Sequence, residues 1–298
     1  ETPLPELRPA AERSCTLMAG TFVAIEEVVN HLRLDELLAK HFGDRAGLVL
    51  DLASYMVVEG RNQGQYYPDY AYRHPLFSPG MRIYSDSIVS KFLSSVKDEQ
   101  IAGFLNDWNA DRDHKSRIYV SYDATNKNCQ AGDVDFVEFG KAKVDLGLPI
   151  FNVGLAMNQN NRIPLFYELY PGSINDVSQF RFMVDKAVGY GYKNIGFIID
   201  RGYFCKANIR YMDEQNYGFV MMVKGCKPLV CDIIDEHRST FETRRACSIA
   251  GQHIHGTTVK RKLFPDDERE RYLHLFFSPV KMMKERCRLE DEIEQMQR

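Results

Sequence analysis

Two aspartates, Asp123 and Asp200, each close an apolar run of the kind that forms a β-strand. The first run is Ile-Tyr-Val-Ser-Tyr, and the second is Ile-Gly-Phe-Ile-Ile. If the two strands lie side by side, both carboxylates emerge at one edge of one sheet. Neighbouring carboxylates repel each other unless a divalent cation neutralises them, so the pair indicates a metal site for phosphoryl transfer. The alternative is that each aspartate only caps the helix or turn that follows it.

The order of elements around the aspartates decides whether those strands can be neighbours. Hydrophobic periodicity predicts the order strand, strand, strand, helix, strand, helix, strand in this part of the chain. The predicted strands cover residues 118–123, 149–157, 163–170, 194–200 and 217–223, and the predicted helices cover residues 176–190 and 205–215. This order describes a ribonuclease H-like α/β fold, a mixed sheet in which the first and fourth strands are neighbours. Asp176 opens the first of these helices and is predicted to be its N-cap.

The flanking segments have a different character, which predicts three parts. Residues 1–112 form a mostly helical module, with predicted helices at 22–41, 48–58 and 85–108, that either docks in a DNA groove or braces the neighbouring domain. Residues 113–225 form the first part of the core. Residues 226–298 form a β-rich insertion, with β-prone stretches at 241–244, 253–259 and 272–277, and end in a charged helix from residue 280.

Composition limits the classes of function. The chain has 298 residues, of which 44% are hydrophobic and 27% charged, as expected of a soluble globular protein. No apolar run reaches the roughly 20 residues that span a bilayer, so no membrane partner is expected. With a net charge of -3, the chain as a whole is not a polycation, so any contact with nucleic acid must use local groups of basic residues. The seven cysteines include no CxxC pair, which favours reduced thiols in the cytoplasm, and their spacing fits no common zinc pattern.

Four blocks of residues resemble the DDE transposases of bacterial insertion sequences, in the insertion-sequence-4 group. In chain order, the blocks are Tyr122-Asp-Ala-Thr, Gly140-Lys-Ala-Lys with Leu146-Gly-Leu-Pro, Tyr170-Pro-Gly-Ser-Ile-Asn-Asp, and Ile199-Asp-Arg-Gly-Tyr-Phe. They cover about residues 117–224 at spacing similar to that of the family. Four blocks in the same order are far more specific than one of them alone.

The resemblance implies a nucleotidyl-transfer activity on DNA. Two aspartates and one glutamate of the family hold two Mg²⁺ (or Mn²⁺) ions, and Asp123 and Asp200 match the two aspartates. The implied partners are double-stranded DNA, as element ends and target, and a second copy of the chain as a homodimer on DNA. The implied location is the bacterial cytoplasm, at the nucleoid.

Four basic residues near the aspartates are candidates for contact with DNA phosphates. Lys141 and Lys143 lie in the loop between the first two strands, Lys127 follows Asp123, and Arg201 follows Asp200. For the loop lysines, the alternative is a solvated surface loop. For Arg201, the alternative is an ion pair with an acid at the rim of the sheet.

The third acid is less clearly marked. The family carries it in a Tyr-x2-Arg-x3-Glu-x6-Lys helix, and here Met283, Arg286, Glu290 and Gln297 have that spacing with the Tyr and Lys replaced. We therefore expect the glutamate to lie beyond Arg298, with Glu290 as the alternative. Two other functions remain open: a catalytically incomplete DNA-binding fragment of a transposase, and a nuclease of the same fold.

Overall fold

The computed structural model describes residues 16–131 and 134–297. The chain groups into two compact units, the first ending at Met221 and the second beginning at Met222. The N-terminal helices and the central sheet share the first unit. The division into three parts at residues 112 and 225 remains a prediction.

The N-terminal half of the first unit is helical, as predicted. Within the described residues its α-helices are α1 (Gly20–Leu32), α2 (Leu34–Phe42), α3 (Ala46–Glu59), α4 (Tyr67–Ala71), α5 (Asp86–Ser95) and α6 (Asp98–Ala110). Helix α3 confirms the predicted helix at 48–58. Its residues Gly47 and Asp51, one turn apart, hold the segment around Ser78. A Cβ on Gly47 would lie 2.7 Å from the Cα of Ser78, and the carboxylate of Asp51 accepts hydrogen bonds from the amides of Phe77 (2.6 Å) and Ser78 (3.1 Å).

The two long predicted helices, at 22–41 and 85–108, are each broken in the structure. The first is interrupted at Arg33, which adopts a left-handed conformation with φ 54° and ends α1 with its backbone N–H. Its guanidinium then pairs with Glu36 in the first turn of α2. The second is interrupted where Val96 and Lys97 are extended, and the side chain of Gln100 accepts the backbone N–H of Lys97 at 3.0 Å. Apolar periodicity continues across both breaks, which is why it predicted single helices.

The central sheet has the order β3-β2-β1-β4-β5. Its strands are β1 (Ile118–Asn128), β2 (Ile150–Asn158), β3 (Ile163–Pro171), β4 (Ile195–Ile199) and β5 (Gly218–Met221). Strands β1, β2 and β3 form an antiparallel meander, and β4 and β5 add in parallel beside β1. This confirms the ribonuclease H-like α/β fold and the pairing of the first and fourth strands. Strand β1 is longer than predicted, since it continues five residues beyond Asp123.

The two faces of the sheet have different surroundings. Helices α7 (Asp176–Gly189) and α8 (Lys206–Glu214) cover one face, and the ring of Phe180 in α7 lies 5.8 Å from that of Phe197 in β4. Cross-strand register places a second set of apolar side chains on the opposite face, and each is at least 40% exposed: Leu155, Leu169, Ile198 and Val220. That open face also carries Asp123, which is opposite Leu155. A sheet of this kind is usually covered on both faces.

The second unit contains a small antiparallel sheet of order β6-β7-β8 between two helices of the sequence. Its elements are α9 (Lys227–His237), β6 (Ser248–Ile249), β7 (Ile254–Arg261), β8 (Arg271–Phe277) and α10 (Pro279–Gln297). The strands predicted near 253–259 and 272–277 and the final charged helix are confirmed. The predicted strand at 241–244 is wrong, because those residues form a bend and a turn, and helix α9 was not predicted. In the part of the chain that the structure describes, no helix is long and apolar enough to cross a membrane.

Candidate active site

The strand register places Asp123 and Asp200 beside each other. The parallel ladder between β1 and β4 ends at the pair Tyr122 and Ile199. Asp123 is the next residue of β1, and Asp200 is the first residue after β4. Neighbouring strands lie about 5 Å apart, so the Cα atoms of the last pair are separated by roughly that distance, and one aspartate follows each of them. Tyr122 and Ile199 point into the core, with 1% and 5% of their surface exposed, so the next side chains point to the open face. Both aspartates are exposed there.

Local hydrogen bonds orient the two carboxylates. Asp123 accepts the backbone N–H of Ala124 at 2.9 Å, and Asp200 accepts that of Gly202 at 3.4 Å. Asp200 thereby caps the short turn Arg201–Tyr203, so the capping alternative is a real part of its structure. Neither carboxylate forms an ion pair with any residue that the structure describes. Two carboxylates without a cationic partner on one open face are a donor set that suits a hard divalent cation.

Aromatic packing ties the two aspartate-bearing segments together under the site. The ring of Tyr122, just before Asp123, lies 5.5 Å from the ring of Tyr203, three residues after Asp200. The buried carboxamide of Asn208 in α8 holds the same turn, because it donates to the carbonyls of Tyr203 (3.0 Å) and Val177 in α7 (3.1 Å). These contacts fix the direction in which the chain leaves β4. Sequence reasoning assigned no role to Tyr122, Tyr203 or Asn208.

A buried polar chain crosses three strands beneath Asp123. The hydroxyl of Tyr122 in β1 donates to Glu168 in β3 at 3.3 Å, and it passes over Gly154 of β2 to do so. Gln179 in α7 donates to the same carboxylate at 3.0 Å, and the ammonium of Lys186 lies 3.9 Å from it. Burial lowers the pKa of Lys186 from its ordinary value, and the negative charge of Glu168 opposes that shift. The sequence offers one signal for this arrangement, the glycine in the middle of β2.

The loop between β1 and β2 is tied to the outer end of β1. The carboxamide of Asn126 donates to the carbonyl of Lys141 (3.0 Å) and accepts the backbone N–H of Lys143 (3.0 Å). The ammonium of Lys143 donates to the carbonyl of Ala124 at 2.9 Å. The ammonium of Lys143 is therefore bound to the residue next to Asp123. The sequence spacing of the two residues did not predict this contact.

A second pair of contacts closes the same loop. Asn128 repeats the pattern of Asn126 with Asp145, because its carboxamide donates to the carbonyl of Asp145 (2.7 Å) and accepts its N–H (3.2 Å). Farther back, a Cβ on Gly140 would overlap the carbonyl oxygen of Gly172. The blocks that begin at Gly140 and Tyr170, which are far apart in sequence, therefore meet in the structure.

The other predicted site residues are only partly brought together. Lys127 shares the open face with Asp123, four residues along β1, which corresponds to about 13 Å. The side chains of Lys127, Lys141 and Arg201 are exposed, and none forms an ion pair with a described residue. The predicted N-cap role of Asp176 was wrong, because Asn175 is the N-cap of α7 and accepts the N–H of Ser178 at 3.1 Å.

Glu290 belongs to the second unit. It lies on α10, is exposed, and pairs with Arg286 at 3.1 Å, one turn earlier. Among the described residues, no group of three or more His, Cys, Asp and Glu side chains is arranged to hold a metal ion. The position of a third carboxylate remains a prediction.

The fold and the site together define a class: a ribonuclease H-like sheet with two exposed carboxylates where β1 and β4 part. No protein-family model matches the chain, and no curated protein matches it. Among solved structures, the chain is similar to one described as a Mos1 transposase paired-end complex with left transposon end, with 13% identity over 57% of this chain and 56% of that one, and a TM-score of 0.23. It is also similar to a pre-cleavage Mos1 transpososome, with 10% identity over 60% of this chain and 58% of that one, and a TM-score of 0.22. The chain thus spans a little over half the length of these structures.

Proposed function

We propose that this chain carries the core of a DDE-type DNA transposase, which cleaves and joins DNA at the ends of an insertion sequence. The observation that carries the proposal is the register of β1 and β4, which leaves Asp123 and Asp200 side by side on an open face. Paired carboxylates on rigid strands suit two divalent cations in phosphoryl transfer. The four sequence blocks that resemble the insertion-sequence-4 group support the finer assignment.

In this proposal, Asp123 and Asp200 hold Mg²⁺ or Mn²⁺ through their exposed oxygens. The bound ions would activate a water or a 3′-hydroxyl and stabilise the leaving oxygen. The carbonyl of Ala124 anchors the ammonium of Lys143 beside Asp123, where its charge favours an approaching phosphate. Arg201 supplies an exposed guanidinium next to Asp200, and Lys127 and Lys141 extend the positive charge along the DNA. The location that fits this activity is the bacterial nucleoid, with a homodimer as the acting form.

The third carboxylate comes, in this proposal, from an element that covers the open face. The exposed side chains of Leu155, Leu169, Ile198 and Val220 support this, because an apolar face of this kind normally packs against another layer. The second candidate function is a catalytically incomplete DNA-binding fragment of a transposase, in which Glu290 forms only its exposed ion pair with Arg286.

The test uses duplex DNA taken from either side of the coding sequence, incubated with the protein and Mg²⁺ or Mn²⁺. We expect metal-dependent nicking, and we expect Asp123→Asn or Asp200→Asn to abolish it while gel-shift binding is retained. Asp69→Asn, which removes an exposed carboxylate on α4, is the matched control and should nick like the unchanged protein.

The outcomes separate the candidate functions. Nicking by Asp123→Asn at the rate of the unchanged protein would overturn the proposed site. Binding of the flanking DNA without nicking in any metal would support the incomplete fragment instead. Cleavage of any DNA without joining would support the nuclease of the same fold.

A further inference from the structure

A groove on the N-terminal helices has no place in the proposed site. It has a volume of about 400 Å³ and lies between the end of α2, helix α5 and the start of α6. Its lining includes the apolar residues Phe42, Ile88 and Phe92 and three cations, Arg45, Arg82 and Lys91. No aspartate or glutamate is among the lining residues.

The three groove cations differ from three other cations of this region, which are paired. Arg33 pairs with Glu36, Lys40 with Asp107 and Arg73 with Glu59. By contrast, neither Arg45, Arg82 nor Lys91 forms an ion pair with any residue among those described, and all three are exposed. Positive charge is therefore concentrated in the groove without an internal carboxylate to neutralise it.

The two arginines are also held in place. Both guanidinium groups lie 5.1 Å from the centre of the ring of Tyr84, which is buried. An arginine that rests on an aromatic ring keeps its N–H donors available while its flat face is covered. Two guanidinium groups fixed in this way lose little side-chain entropy when they bind oxygen atoms, which is a property of phosphate sites.

We propose that this groove binds the phosphate backbone of duplex DNA through Arg45, Arg82 and Lys91. The charge of the groove selects a polyanion, and its open form admits a strand that passes through it. This inference rests on the proposed function only in taking DNA as the polyanion. The groove would act separately from Asp123 and Asp200, so it holds DNA without taking part in the reaction.

The test measures binding of a short, mixed-sequence duplex by fluorescence anisotropy in EDTA over a range of salt concentrations. The combined variant Arg45→Gln, Arg82→Gln and Lys91→Gln should lower the slope of log K against log salt by about 3 in magnitude. At moderate salt this corresponds to binding weakened by about tenfold to a hundredfold. Substitution of Arg45 and Arg82 by lysine should keep the slope, because it keeps the charge, and should lower the affinity less than the glutamine variant does.

The matched control removes three cations that are already paired, with Arg33→Gln, Lys40→Gln and Arg73→Gln. It changes the net charge equally and should change the slope far less. Thermal melting by circular dichroism confirms that each variant is folded. Equal slopes for the two combined variants would overturn the inference. Tighter binding of single-stranded DNA than of duplex would also overturn it. So would a groove variant that loses self-association but binds duplex DNA as tightly as the unchanged protein.

The same measurements separate this inference from the proposed function. A protein that binds duplex through the groove but never nicks DNA would overturn the proposed function and leave the groove assignment standing. A protein whose nicking requires Asp123, but whose DNA binding is unchanged when the groove cations are replaced, would overturn the groove assignment and support the proposed function.

Discussion

The hydroxyl of Tyr122 lies in the space that a side chain on Gly154 would occupy. A Cβ at Gly154 would be 2.5 Å from Cζ of Tyr122 and closer still to its oxygen. The absence of a side chain there lets the phenol cross β2 and reach Glu168. A glycine in the middle of a strand usually weakens it, so its presence here is explained by this close approach.

Gly154→Ala should therefore destabilise the protein by about 1–3 kcal/mol, although alanine is the better strand residue. Tyr122→Phe in the same chain should recover part of the loss, because it removes the oxygen nearest the new methyl group. Urea unfolding of both single variants and of the double variant measures the coupling. A Gly154→Ala protein as stable as the unchanged one would contradict the packing described here.

Metal binding at the two strand ends should be visible without any DNA. Mn²⁺ that binds only the folded protein raises its stability, by about 2.7 kcal/mol at a hundredfold excess over the dissociation constant. We expect Asp123→Asn combined with Asp200→Asn to remove the rise in melting temperature with Mn²⁺, while the metal-free protein melts no lower than before, because a repulsion has been removed. Asp69→Asn is the control. A full Mn²⁺ response in the double variant would place the ion elsewhere.

The tie between Asn126 and the loop predicts a change in protease sensitivity. Asn126→Ala removes the hydrogen bonds to Lys141 and Lys143, so the loop should open and trypsin should cut after these lysines much faster. Lys127→Ala, a neighbouring change with no hydrogen bond to remove, should leave the rate unaltered. Mass spectrometry of the first cleavage products measures this. Unchanged cleavage in Asn126→Ala would show that other contacts hold the loop.

Asp51 should stabilise the N-terminal helices through its two backbone partners. Burial raises the pKa of this carboxyl, but its oxygens accept hydrogen bonds from the amides of Phe77 and Ser78. Asp51→Ala should cost about 1–3 kcal/mol, since it leaves buried N–H groups without an acceptor. Asp51→Asn keeps one acceptor oxygen and should cost less. Urea unfolding measures both, and an Asp51→Ala protein of unchanged stability would contradict this role.

Alkaline pH should destabilise the first unit through its buried tyrosines. Burial raises the pKa of Tyr70 and of Tyr192 to about 12, whereas the unfolded chain loses these protons near pH 10. The folded form therefore holds more protons, so this stability is present below about pH 10 and is lost as the pH rises towards about 12. Tyr192→Phe should reduce the loss over that interval by about 2 kcal/mol, measured by unfolding at a series of pH values. Tyr72→Phe, an exposed control, should leave the pH dependence unchanged.

Much of the fold follows from local patterns in the sequence. Short apolar runs ended by polar residues marked the strands, and their order with the two helices predicted which strands are neighbours. The register of β1 and β4 agrees with that order, because the buried residues Tyr122 and Ile199 pair directly before the two aspartates. The sequence did not predict the helix breaks at Arg33 and Val96. Apolar periodicity continues through both positions, and only the backbone conformation interrupts the helices.

The sequence by itself determined the two aspartates and the elements that carry them, because side-chain periodicity and strand order depend on neighbours along the chain. Only the tertiary structure decided what surrounds them. Tyr122 meets Glu168 from 46 residues away, Lys143 folds back onto Ala124 from 19 residues away, and three unpaired cations meet in one groove. Contacts of this kind depend on which surfaces pack together, and no local pattern records that choice.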